Sequence, residues 1–263
     1  MKHIEVERRE RVGIIWLDRP DKGNALSADM WGDLPDAAQE LAEDRDIGAI
    51  VLTGRGGVFT VGIDLAMLVD LPAEGSPAAR NQTTYQEIKS LQQSVSVFSD
   101  IDVPTIAAVS GWCVGAGVDL ITACDMRVSG KNAVYSVRET RMGLVADVGT
   151  LQRLPKIVSP GVVADLVYTG RDVRAPEALD LGLVDRLVDD PLAEAIAIGE
   201  RIAANPPLAV RGAKRVLREG SSMSTDQALE YVALWNAAFL QSNDLTEALQ
   251  AFEEGRKPDF TGS

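Results

Sequence analysis

The sequence predicts an α/β fold with a helical C-terminal region, on three observations. Up to about residue 150, apolar strand-like runs and helical periodicity follow one another in the order strand, strand, helix, repeated. Beyond Leu151 most segments carry helical periodicity instead. Finally, 263 residues, 46% hydrophobic and 25% charged, suffice for one large α/β domain, alone or with a small helical appendage.

Residues 4–7 and 12–17 read as two strands joined by a polar turn at 8–11, hence a hairpin. After Arg19-Pro20-Asp21-Lys22-Gly23-Asn24 the period changes to that of a helix, with Ser27 as N-cap and Met30, Leu34, Ala37, Ala38 and Leu41 on one face. Residues 49–53 form a buried strand, followed by the glycine turn 54–57. A mobile connection is expected at 71–77 and a long amphipathic helix over 78–99. Residues 103–109 read as a buried strand, and Ser110-Gly111-Trp112-Cys113-Val114-Gly115-Ala116-Gly117 as a turn opening into another helix. Strands near 126–128 and 133–136 precede an irregular segment with Glu139, Gly143, Asp147 and Gly149. Helices are then expected at 176–181, 191–204, 207–219, 225–241 and 244–254.

Charge and composition remove several classes of function. A net charge of −13 and a pI near 4.6 oppose nucleic acid and anionic membrane surfaces, so any polyanionic ligand must find a local basic patch. The charged N-terminus MKHIEVERRE and the lack of an apolar run of membrane length lead to the expectation of a cytoplasmic protein with no membrane span. Cys113 and Cys124 lie in apolar runs without metal-ligand spacing and read as buried free thiols. The one histidine, His3, precedes the first strand and reads as a surface residue, which nearly excludes catalytic triads and multi-histidine metal sites. Acid/base chemistry then falls to carboxylates, lysine or tyrosine.

Gly115-Ala116-Gly117 between a strand and a helix suggests a dinucleotide fingerprint, but Leu120 occupies the position of its third glycine. The 54–57 turn lacks the Gly-Lys-Ser/Thr of a phosphate loop. Glycine turns do allow close backbone approach and leave the first helical amides unpaired, which suits an oxyanion hole. A second such turn, Val61-Gly62-Ile63-Asp64, could place another amide on the same carbonyl; each turn alone also fits ordinary tight packing. Three acids lie in apolar surroundings: Asp119, Glu139 and Asp147. Burial would raise their pKa values toward neutrality. Each taken singly also fits a cap or half of an ion pair with Arg127, Arg138, Arg141 or Arg153.

At Phe59-Thr60-Val61-Gly62-Ile63-Asp64-Leu65 and Gly115-Ala116-Gly117-Val118-Asp119-Leu120 the chain resembles the crotonase, or enoyl-CoA hydratase/isomerase, superfamily. The likeness runs through Ala123-Cys124-Asp125-Met126-Arg127, Gly149-Thr150-Leu151-Gln152-Arg153-Leu154-Pro155, Glu177-Ala178 and Gly182-Leu183-Val184 to Lys257-Pro258-Asp259-Phe260. It implies an α/β crotonase-type spiral of ββα turns with a C-terminal helical region, a homotrimer or homohexamer, and an acyl-CoA thioester ligand. On that basis residues 1–200 are expected to form the spiral core with the acyl-CoA and catalytic site, and 201–263 the helical trimerisation region. No cofactor is expected, since CoA is part of the substrate.

The resemblance implies an oxyanion hole from the amides of Ile63 and Ala116, the latter replacing a frequent glycine. It implies CoA contacts at Ala25, within Asn24-Ala25-Leu26, and at Val61. Lys257 is a candidate for the phosphates, though it also fits a solvated surface charge. Hydratases of this family resemble the chain at Asp119 and Glu139, where they carry two glutamates, but usually have a small residue in place of Asp147. An aspartate, a glutamate twenty positions later and an aspartate eight beyond that resemble the Δ3,5-Δ2,4-dienoyl-CoA isomerases. That subgroup implies an enzyme in which Glu139 serves C2 and Asp147 serves C6, or the reverse, with Asp119 orienting Glu139. A 2-enoyl-CoA hydratase, a Δ3-Δ2-enoyl-CoA isomerase and a non-catalytic acyl-CoA-binding homologue are the alternatives.

Overall fold

The computed structural model describes residues 1–69 and 75–263; most of the connection expected at 71–77 lies outside the described residues. Strands β1 (Ile4–Arg9) and β2 (Val12–Leu17) pair antiparallel, as the hairpin pattern predicts. Parallel strands β3 (Ala49–Gly54) and β4 (Thr105–Val109) continue the sheet from β2. A short strand β5 (Trp112–Val114) follows within what the sequence suggested was only a turn. Next come β6 (Met126–Gly130), β7 (Val134–Ser136), β8 (Val173–Arg174) and β9 (Arg186–Val188). The large sheet has the order β1-β2-β3-β4-β6-β9, and β5-β7-β8 form a second, three-stranded sheet.

The helices in chain order are α1 (Ala28–Glu43), α2 (Ala66–Val69), α3 (Pro77–Asp100), α4 (Ala116–Ala123), α5 (Thr150–Arg153) and α6 (Pro160–Thr169). They continue with α7 (Ala175–Asp180), α8 (Pro191–Ala203), α9 (Pro207–Gly220), α10 (Thr225–Phe239) and α11 (Asn243–Glu254). After β3, β4 and β6 of the large sheet the chain continues into extended segments of a second layer, at Thr60, β5 and β7. Strand β2 is buried on both faces, so its period of two divides its side chains between two cores. Val12, Ile14 and Trp16 meet Val51, Ile106, Val128 and, from α8, Ala195 and Ile198. Ile15 and Leu17 join the larger core beneath α1, α3 and α4.

Helix α1 buries the apolar stripe its sequence predicts, and its N-cap Ser27 accepts from the Met30 amide. Pro35 sits inside this helix and cannot donate to the Trp31 carbonyl. Ser94 Oγ of α3 donates to that carbonyl instead, at 2.7 Å, so the proline fixes where α3 crosses α1. Helix α9 closes the base of the spiral by satisfying the last carbonyls of α3. Lys214 Nζ donates to Phe98 O and Val103 O, and Arg218 to Ser99 O and Asp100 O. Among the described residues, no helix is long and apolar enough to cross a membrane.

Candidate active site

The second layer brings four distant segments into one ladder. Thr60 Oγ1 donates to Asn24 O at 2.6 Å, Leu26 N to Gly62 O at 2.8 Å, and Asp64 N to Leu26 O at 2.9 Å. One step further, Thr60 N donates to Trp112 O and Val114 N returns to Thr60 O. Gly115 N then donates to Ser136 O at 2.9 Å, joining the β5–α4 turn to the end of β7, just ahead of Glu139. Residues 24–26, 60–64, 112–116 and 136–139 therefore lie side by side, although up to 115 positions separate them.

Both candidate oxyanion turns need glycine. Gly115 has φ 54 and ψ −117, a region closed to side chains, and lets α4 start immediately after β5. Gly62 has φ 99, and a Cβ there would stand 2.9 Å from Val114 O and 3.7 Å from Ala116 N. The turn carrying Ile63 thus rests directly against the one carrying Ala116. Among the described residues neither the Ile63 nor the Ala116 amide donates to a backbone carbonyl, so both remain open to a ligand oxygen. Ala116 has a negative φ and accommodates its Cβ without strain.

The three acids converge on these turns in three different environments. Asp119, in the first turn of α4, is 1% exposed, and its Oδ1 accepts from Thr150 N at 2.5 Å. Burial pushes its pKa up to about 6 against that hydrogen bond and the field of Arg153. Glu139 begins a single 3-10 turn (Glu139–Met142) after β7, with Oε1 3.3 Å from where a Gly115 Cβ would stand. Its Oε2 is buried without a hydrogen-bond partner among the described residues. Burial, followed by the charges of Asp119 and Asp147, pushes Glu139 up to about 7. Asp147 differs from the sequence expectation: it is exposed rather than enclosed, because its neighbours Ala146 and Val148 turn inward and it points the other way. Partial desolvation still holds its carboxyl above the ordinary value.

The arginines proposed as ion-pair partners are mostly engaged elsewhere. Arg127 pairs with Asp185 at 3.2 Å and Arg138 with Asp172 at 2.7 Å, while Arg141 Nε donates to Thr169 O. Only Arg153 acts on the acids: it lies under Gly149, donates to Ser96 Oγ and Val148 O, and its field reaches Asp119. His3 is half-buried, with Nδ1 3.2 Å from Asp18 O. Cys113 and Cys124 are buried free thiols, as expected, and burial raises both.

Of the expected CoA contacts, Val61 lies against Gly23, two residues before Ala25: a Cβ on Gly23 would stand 3.0 Å from Val61 Cγ1, and Val61 N donates to Gly23 O. Ala25 is buried and Val61 is exposed. Sequence reasoning missed Arg19, whose Nη1 donates to Ala25 O at 3.1 Å and to Asp64 Oδ2 at 2.6 Å, bracing the 24–26 segment against the turn of Ile63. Lys257 is not brought to this corner. Its tail runs back on α11, with Asp259 N donating to Glu247 and Thr261 N and Gly262 N to Asp244.

Comparison with known proteins agrees with this geometry. Residues 7–263 match the enoyl-CoA hydratase/isomerase family. The chain is 39% identical to the peroxisomal Δ3,5-Δ2,4-dienoyl-CoA isomerase of Arabidopsis thaliana, over 98% of this chain and 97% of that protein. It is 39% identical to the mitochondrial Δ3,5-Δ2,4-dienoyl-CoA isomerase of Mus musculus, over 92% of this chain and 76% of that protein. The crystal structure of an enoyl-CoA hydratase from Bacillus anthracis superposes with a TM-score of 0.92 at 29% identity, covering 100% of both chains. Sequence, spiral topology and the paired backbone turns agree, and the chain belongs to the enoyl-CoA hydratase/isomerase, or crotonase, family of enzymes.

Proposed function

We propose that the protein converts 3,5-dienoyl-CoA thioesters to 2,4-dienoyl-CoA thioesters. The observation that carries this reading is the third acid: the charge of Asp147 acts on both Asp119 and Glu139, and Glu139 lies against the Gly115 turn that opens the Ala116 amide. The relatives named above as dienoyl-CoA isomerases support it. A spiral fold alone does not choose a reaction, since a hydratase shares it at a TM-score of 0.92.

In the proposed cycle the thioester oxygen accepts from the Ile63 and Ala116 amides, which stabilise the charge that develops there by a few kcal/mol per donor. Glu139, raised to about 7, is matched to removing a C2 proton near neutral pH. The electron pair from that C–H bond delocalises onto the thioester oxygen on one side and through the C3–C4 and C5–C6 double bonds to C6 on the other. Asp147, protonated, delivers a proton to C6 as the thioester carbonyl re-forms, leaving double bonds at C2–C3 and C4–C5; exchange with solvent then takes the proton from Glu139 and returns one to the exposed Asp147. Asp119 keeps negative charge beside Glu139 and thereby holds its affinity for the proton up.

The binding roles proposed are CoA adenine at Ala25 and Val61, and CoA phosphate at Lys257 of one protomer reaching the site of its neighbour. Residues 1–200 are proposed as the catalytic core and 201–263 as a trimerisation region. Leu229, Leu234, Phe239, Leu249 and Phe252 of α10 and α11 are 43–86% exposed, an apolar surface that association would cover. A non-catalytic binding homologue is disfavoured because burying Asp119 and the unpartnered Glu139 Oε2 costs stability that binding alone does not require. The test is to mix purified protein with a 3,5-dienoyl-CoA and follow near-ultraviolet absorption of the conjugated product, with a 2-enoyl-CoA hydration assay beside it. Diene formation supports the proposal; hydration alone would make the protein a hydratase.

A further inference from the structure

Three polar side chains of α3 face the segment that carries Asp147. Lys89, Gln92 and Ser96 are spaced i, i+3 and i+7 and share one face of the helix. Gln92 Nε2 donates to the Asp147 carbonyl at 2.7 Å. Lys89 Nζ donates to Gln92 Oε1 at 2.8 Å and so sets which end of the amide points at Asp147. Four residues on, Ser96 Oγ accepts from Arg153 Nη2 at 2.8 Å, and Arg153 Nη1 donates to Val148 O at 3.3 Å. From the opposite side, Asp119 Oδ1 accepts from Thr150 N.

Burial anchors the segment at Ala146 and Val148, on either side of the acid, but not at Asp147 itself nor over residues 142–145. Met142, Leu144 and Val145 are 55%, 42% and 73% exposed, and Asp147 itself faces outward. The hydrogen bond from Gln92 holds the carbonyl of the one exposed residue between these two anchors, and so the Asp147–Val148 peptide plane and the direction in which the Asp147 side chain leaves the backbone. The donor sits on a 24-residue helix whose other face packs against α1 through Ser94, Val95 and Phe98. A short acid on an exposed stretch gains from such a rigid support what a buried residue gains from packing.

We propose that Gln92 is a positioning residue for the reaction: its side-chain amide, oriented by Lys89, holds the Asp147 carbonyl so that the Asp147 carboxyl reaches the far end of the dienoyl group. The inference rests on the reading in which Asp147 exchanges the C6 proton. It predicts a residue that acts on turnover and not on CoA-ester binding, because Gln92 touches the acid's backbone and neither candidate oxyanion turn.

The test compares Gln92→Leu, Lys89→Ala and Asp147→Asn with the unaltered protein. Gln92→Leu should lower kcat for a 3,5-dienoyl-CoA by about tenfold, as misplacement of a reacting group does, while KM stays within about twofold. Exchange of the C2 protons of a saturated acyl-CoA with deuterated water, which calls on Glu139 and the two amides alone, should be unchanged. Lys89→Ala, a fully exposed change with little bearing on folding, should move kcat in the same direction by less. Gln92→Glu should be slow where its carboxyl is ionised and should approach the unaltered protein, compared at the same pH, as falling pH lets that carboxyl donate. Full turnover in Gln92→Leu beside an inactive Asp147→Asn overturns the proposal alone. An equal loss of C2 exchange and turnover in Gln92→Leu also overturns it, since the residue would then be supporting the site in general. Full turnover in Asp147→Asn would instead remove the reading on which the proposal rests.

Discussion

Glu139→Gln should stabilise the protein at alkaline pH while abolishing its activity. The carboxyl titrates near 7 in the fold against an ordinary 4.5, chiefly because burial penalises its ionised form. Each tenfold change in acid dissociation is worth about 1.4 kcal/mol, so full ionisation at pH 9 costs the native state about 3 kcal/mol, and nearer 2 kcal/mol once partial exposure is allowed for. The sign follows from the direction: a carboxyl raised by folding binds more protons in the native state. Its stability contribution is complete below pH 4.5 and declines as pH rises through about 7. Glutamine cannot ionise and escapes this decline. Urea unfolding at pH 4, 7 and 9 should therefore give nearly equal stabilities at pH 4 and a variant ahead by about 2–3 kcal/mol at pH 9. A variant of unchanged or lower stability at pH 9 would refute the view that Glu139 is held against its own solvation. It would also remove the physical basis for calling Glu139 a tuned base.

The same titration should appear in catalysis: kcat/KM for the dienoyl substrate should trace a bell, one limb near pH 7 from Glu139 and the other from Asp147, which must hold the proton it delivers; a level alkaline side would contradict that role. Asp119→Asn should move the Glu139 limb to lower pH by removing a neighbouring negative charge, and a limb that stays or rises would contradict the coupling. Gly62→Ala should cost about 1–3 kcal/mol from the positive φ alone and should lower kcat by displacing the Ile63 amide; wild-type stability and turnover would show that the turn is not constrained. Lys214→Met should cost about 1–3 kcal/mol by thermal or urea unfolding, because Val103 O loses its Lys214 donor while Asp125 and Phe98 O keep only Thr105.

The elements legible in the sequence are those whose own residues carry the pattern. Strands β2, β3 and β4 are continuous apolar runs because both faces are covered, and α1 shows its stripe and its Ser27 cap. Strands β5, β8 and β9 have two or three residues each, and partners far along the chain make them strands, so no local period reveals them. Residues 160–169, which form α6, carried helical signals in Ser159 and Pro160 that were read only as part of a general helical tendency. The candidate site was legible where spacing and glycine speak, in the turns at Gly62 and Gly115 and in the series Asp119, Glu139, Asp147. The exposure of Asp147 was not, because an apolar stretch does not say which of its residues turn inward, and here Ala146 and Val148 do. Nor were Arg19 and Gln92, whose contacts with Asp64 and Asp147 cross 45 and 55 positions and leave no mark on their neighbours in sequence.

The division of labour between Glu139 and Asp147 is tested most directly by running the isomerisation in deuterated water and locating the label by nuclear magnetic resonance. The unaltered protein should place deuterium at C6 of the 2,4-dienoyl product. Asp147→Asn should exchange the C2 protons of the 3,5-dienoyl substrate without forming product, and Glu139→Gln should do neither. Product labelled at C6 by Asp147→Asn, at a rate near that of the unaltered protein, would contradict the assignment.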